Sequence, residues 1–183
     1  MKLKSVMKIF LLGVLGIVLA AFIFGVVSCV LTFPHESHSV WLYAKFKHDW
    51  PEELVGHFPA LIPENAIKPK LAHFPGCLQG GSYFQIRYGL PDEEILALYD
   101  KFSRQKTISF VGGDRNDHFN MKNGAATTFF YTEDIKSGKF PPDYEILVFD
   151  PLRPSSSNWN HGTSHGVAIS KEKKEIVYWA ESW

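Results

Sequence analysis

Apolar and polar positions fall into three regimes along the chain. From Ile9 to Phe33 the sequence reads IFLLGVLGIVLAAFIFGVVSCVLTF, with no charge and only Ser28, Thr32 and scattered glycines breaking the apolar run. These 25 residues would make a helix about 38 Å long, enough to cross a hydrocarbon core of about 30 Å with some tilt. The run therefore predicts a transmembrane helix over residues 9–33. Residues 34–50, PHESHSVWLYAKFKHDW, mix charges with aromatics and read as a juxtamembrane stalk whose Trp41, Tyr43 and Phe46 pack on the domain or on lipid headgroups. From residue 51 to 183 the pattern is one of short runs, as in a single folded domain.

Within that domain, Pro51-Glu52-Glu53 opens a short helix that stops near Gly56, with proline at its first position and acids in its first turn. The FPALIP that follows is proline-stiffened and extended. The one long helix signal runs from Pro91 to Arg104, where Ile95, Leu98, Tyr99 and Phe102 share a face at i, i+3, i+4 and i+7. Strand patterns occupy 70–74, 82–88, 107–111, 126–132, 144–149, 165–170 and 175–180, with Phe84, Ile86 and Tyr88 alternating in the second. The last two flank Lys171-Glu172-Lys173-Lys174 and predict a hairpin with a charged loop. Strands outnumber helices without β-α-β alternation, so the fold class is α+β: an antiparallel sheet with one main amphipathic helix packed on a face.

Charge and cysteine content add an address. Lys plus Arg and Asp plus Glu both number 19, which gives no net charge to attract nucleic acid. All the acids lie beyond Phe33, whereas Lys2, Lys4 and Lys8 precede it. That bias keeps residues 1–8 cytoplasmic and places the mildly acidic remainder outside a bacterial cytoplasmic membrane, with the bilayer as partner of residues 9–33. Val26-Val27-Ser28-Cys29 also looks like the lipobox of bacterial lipoproteins, which would put a diacylglyceryl group on Cys29 after cleavage before it. A cleaved signal peptide fits less well, because the apolar stretch is long and no A-x-A site precedes Thr32. Cys77 is the only other cysteine, so the domain has no internal disulfide, and its setting reads as a small buried hydrophobe.

Candidate chemistry lies in two polar loops, 112–125 and 151–164, long enough to invite a functional reading. If strands 107–111, 126–132, 144–149 and 165–170 form a meander, both loops emerge at one end of the sheet. That would gather Asp114, Asp117 and His118 near Trp159 and His161, a candidate binding site with a tryptophan able to stack on a sugar or peptide. No metal site is read from them: Asp114-x-Asn116 lacks the glycine and glutamate of a calcium loop, and His161 and His165 sit among glycines without the HExxH glutamate. Turn-forming and loop-pinning roles account for the same residues. No serine stands in a GxSxG elbow and no cofactor motif is present. Two functions remain open: a membrane-tethered extracytoplasmic domain binding an unknown protein or small molecule, and a cell-envelope hydrolase drawing His and Asp from the same loops.

Taken together, HFPALIPENA, FPGCLQGGSYFQIRYGLP, GGDRNDHF, TTFFYT and IVYWAESW resemble a group of bacterial extracytoplasmic proteins with an N-terminal membrane anchor or lipoprotein signal. The resemblance spans most of residues 50–183. It implies a bacterial, extracytoplasmic setting and carries no activity, ligand or catalytic residue with it.

Overall fold

The computed structural model describes residues 3–32, 34–76, 81–112, 140–152 and 162–182; within the N-terminal helix, side chains are described over 11–25. The chain divides into two compact units, Met1–Pro34 and His35–Trp183. The first is the helix α1, Leu3–Thr32. The transmembrane span expected over 9–33 is corrected here: among the described residues no helix is long and apolar enough to cross a membrane. The Cys29 side chain lies outside the described residues.

The second unit is α+β, as the alternating patterns predict. Among the described residues six strands form one antiparallel sheet: β1 Ile67–Phe74, β2 Ser82–Gly89, β3 Ile108–Val111, β4 Glu145–Leu152, β5 Thr163–Ser170 and β6 Glu175–Ser182. Their order across the sheet is β1-β2-β6-β5-β4-β3. The hairpin around 171–174 is present, with Ser170 opposite Glu175, and Lys173 N–H bonds the Ser170 hydroxyl to close it. The main helix, α4 (Asp92–Ser103), carries the chain from β2 past β6, β5 and β4 to the far edge. It buries Ile95 and Phe102 and half-buries Leu98 and Tyr99, the stripe read from the sequence.

The segment 34–50 does not stand apart as a stalk. A 3₁₀ turn at Val40–Leu42 leads into α2, Tyr43–Asp49, and then into the single turn α3, Glu52–Val55. Tyr43 and Phe46 are buried in the main core, whereas Trp41 is exposed. Ahead of α2, Ser37 pairs with His73 through two backbone hydrogen bonds of 2.8 and 2.9 Å, along the outer side of β1. At the start of β1, Lys68 has φ of 48° and the register shifts between Ile67 and Lys70, around Pro69.

The two faces of the sheet differ. The helix side carries Leu71, Phe84, Ile86, Tyr88, Leu147, Phe149, Val167, Ile169, Ile176 and Tyr178 in one core with α2, α3 and α4. The opposite side holds a smaller cluster of Ile146, Val148, Ala168, Val177 and Trp179 with Phe140 and Tyr144. Trp179 is fully buried and stands opposite Gly166 on β5. A Cβ on Gly166 would lie 2.1 Å from the Leu147 carbonyl oxygen and 2.9 Å from Trp179 Cζ2, so only glycine lets these strands and that indole close together.

A pair of glycine variants tests this packing. Gly166→Ala should cost about 3 kcal/mol or more by forcing backbone apart, while Gly89→Ala, where the nearest atoms stand at 3.4 Å, should stay within about 1 kcal/mol. Equal urea midpoints for the two would show that the Gly166 contact is not a constraint.

Candidate functional site

On the helix side, successive strands line up a row of residues across the sheet. The register sets Phe149 opposite His165, His165 opposite Ala180, Ala180 opposite Phe84, and Phe84 opposite His73. One step outward lies a row of hydroxyls, Thr163 opposite Ser182 and Ser182 opposite Ser82. The α2–α3 corner hangs over these rows because its aromatic rings converge on Phe84. Phe58 stacks on it at 4.9 Å, while Tyr43, Phe46, Trp50 and His73 stand 5.8 to 6.4 Å away. Polar ties hold the corner's tail down: the Tyr43 hydroxyl donates to the Pro59 carbonyl at 2.6 Å and Lys47 Nζ to the Phe58 carbonyl at 3.2 Å.

Between the corner and the hydroxyl row lies an open cleft of about 390 Å³. Trp50, Pro51 and Pro75 give it apolar walls, Asp49 and Glu53 stand at its rim, and Ser82, Thr163 and Ser182 form its floor. His73 closes its inner side, stacked on Phe46 at 4.0 Å with the rings 11° from parallel. Burial lowers the His73 pKa below the ordinary 6.5 against the opposing pull of Asp49, so the ring is neutral at pH 7.

Deeper in the same layer His57 is enclosed by rings, with Phe58 at 4.7 Å, Phe149 at 5.2 Å, His165 at 5.4 Å and Tyr178 at 6.1 Å. Its Nε2–H donates to the Gly166 carbonyl at 2.9 Å. Burial first and the neighbouring His165 second push its pKa down to about 3, outweighing the carbonyls of Gly166 and Trp179. On the opposite face Glu181 stands between Tyr83 and Ser164 in the sheet register. Burial pushes its carboxyl up to about 8. Among the described residues no group of three or more His, Cys, Asp or Glu side chains gathers to hold a metal.

Asp114, Asp117, His118, Trp159 and His161, as well as Cys77 and the strand 126–132, lie outside the described residues. The meander that was to bring the two loops together is corrected. β3 pairs directly with β4, Ile108 opposite Val148 and Val111 opposite Glu145. The chain therefore leaves β3 beside the start of β4, whereas the second loop leaves from the other end of β4, where Leu152 pairs with Thr163. Of the segment expected as the loop 151–164, Thr163 and Ser164 belong to β5: Thr163 floors the cleft, while Ser164 is buried on the other face. The remaining cleft residues were not singled out from the sequence. An i, i+3, i+7 stripe of Tyr43, Phe46 and Trp50 was the signal available for the corner.

Comparison with known proteins finds no matching family model, curated relative or solved structure.

The two buried titratable groups set opposite slopes of stability with pH. Glu181, ordinarily 4.5, holds its proton more tightly when folded, so its contribution is full below pH 4.5 and is lost as pH rises through about 8. His57, ordinarily 6.5, resists protonation when folded, so its contribution is full above pH 6.5 and is lost as pH falls through about 3. Between 4.5 and 6.5 the two slopes offset, and the thermal midpoint should be flat there and fall on both sides. Glu181→Gln should remove the alkaline decline and His57→Gln should soften the acid one. A midpoint that falls above pH 6.5 equally in Glu181→Gln would refute the assignment.

Proposed function

We propose that this chain is a binding domain whose cleft takes one small polar molecule. The observation that carries the reading is the cleft itself: its volume of about 390 Å³ falls within the range of small-molecule sites, and its walls combine apolar faces with a few convergent polar groups. The site is preformed, because the corner that roofs it is held by packing against Phe84.

A hydrolase reading would need a nucleophile, a base and an orienting carboxylate in mutual contact. Among the described residues no hydrogen bond joins the His73 ring to Asp49 or to the hydroxyls of Ser82, Thr163 or Ser182. Hydroxyls set on strand ends and a neutral histidine suit hydrogen bonding to a ligand, and binding is therefore the better-supported function. The extracytoplasmic bacterial setting implied by the resemblance of residues 50–183 belongs to this proposal.

Filling the cleft tests it. A panel of small polar fragments screened against the full chain by saturation-transfer NMR should return binders that Ser82→Trp abolishes without lowering the melting temperature by more than a few degrees. Binders that persist in Ser82→Trp would place recognition elsewhere and overturn the proposal.

A further inference from the structure

We propose that the cleft recognises a small organic cation, an alkylguanidinium or alkylammonium group, with the Trp50 ring as its aromatic face and Asp49 and Glu53 as its counter-charges. This deepens the binding reading and rests on it. Among the described residues the formal charges lining the cleft are both negative, and no Lys or Arg lines it. Among the described residues neither Asp49 nor Glu53 has an ion pair or a side-chain hydrogen bond, so both carboxylates are available to a ligand. The nearby Lys47 ammonium is committed to the Phe58 carbonyl.

The second observation is His73, which lines the cleft with only 6% of its surface exposed. Its backbone bonds Ser37, but among the described residues its ring makes no hydrogen bond. A neutral imidazole has an acceptor nitrogen, and the floor hydroxyls of Ser82, Thr163 and Ser182 accept as well as donate. A ligand group rich in N–H donors satisfies these acceptors and both carboxylates together. An anion would face two uncompensated carboxylates. A bare divalent metal is not favoured, because among the described residues no three His, Cys, Asp or Glu side chains, His73 included, gather closely enough to hold one. Trp50 adds what an organic cation uses and a metal ion does not: a π face, with the ring supported by Phe84 at 6.4 Å.

Isothermal titration of the full chain with n-butylguanidinium, its neutral isostere n-butylurea and methyl β-glucoside separates the possibilities. The guanidinium should bind at least about tenfold more tightly than the urea, because the two differ in charge and hardly in shape. Asp49→Asn with Glu53→Gln should erase that preference while leaving the melting temperature unchanged, and Trp50→Leu should weaken the guanidinium about tenfold. Equal binding of the urea, or tighter binding of the glucoside, overturns the cation assignment and leaves the cleft as a neutral-ligand site. Binding of the guanidinium that Asp49→Asn with Glu53→Gln does not weaken also overturns it. If none of the three probes binds, the cation assignment falls, and the fragment screen against Ser82→Trp decides separately whether the cleft binds anything.

Discussion

The packing of Phe84 is the contact on which the rest of the domain's functional architecture depends. It sits on β2, fully buried, and five rings meet it: Tyr43, Phe46, Trp50, Phe58 and His73. All except His73 come from a helical corner that has few backbone hydrogen bonds to the sheet. The corner's position is thus set mainly by non-directional burial and ring geometry, with the His57 bond to the Gly166 carbonyl as a directional tie to the sheet and the Tyr43 and Lys47 bonds fastening the corner to its own tail. Removing Phe84 would leave a cavity and also free the roof of the cleft, so stability and ligand capture are coupled through one side chain.

The opposite face works by a different rule. There the sheet buries polar groups: Glu181, Gln85 and Ser164 lie beneath the surface along with Trp179. Near the 171–174 hairpin the polar groups are satisfied explicitly. Burial by itself would raise the Asp143 carboxyl, but hydrogen bonds from Lys173 and Ser170 outweigh it and hold the group below its ordinary value. Glu145 is held low in the same way by Tyr99 and Lys106 against its own desolvation. These ties secure one end of the sheet, while the cleft occupies the other, where among the described residues Asp49 and Glu53 carry no ion pair.

Legibility in the sequence follows the range of the interaction. Local signals were clear: the i, i+3, i+4, i+7 stripe of α4, the period-two run of β2 and the charged turn between β5 and β6 all depend on neighbours within a few residues. The α+β class follows from them. The cleft does not, because it joins Asp49 and Glu53 to His73, Ser82, Thr163 and Ser182, residues that only the strand order brings together. Residues 34–50 read as a stalk in the sequence because aromatic residues beside an apolar run look the same whether they meet lipid or a sheet. The expected meander fails on parity: one strand inserted between 107–111 and 144–149 would make these two parallel, whereas β3 pairs antiparallel with β4 directly.

The edges of the sheet bear on what the molecule does in company. A strand edge with a free run of N–H and C=O groups invites another chain to add to it. β1 denies that run at both ends: Pro69 lacks an N–H, Lys68 turns the backbone left-handed beside it, and Ser37 occupies His73 at the other end. β3, the opposite edge, is only Ile108–Val111. Among the described residues neither edge offers the long flat template that strand addition needs, so these two edges should not draw crowded copies into a shared sheet.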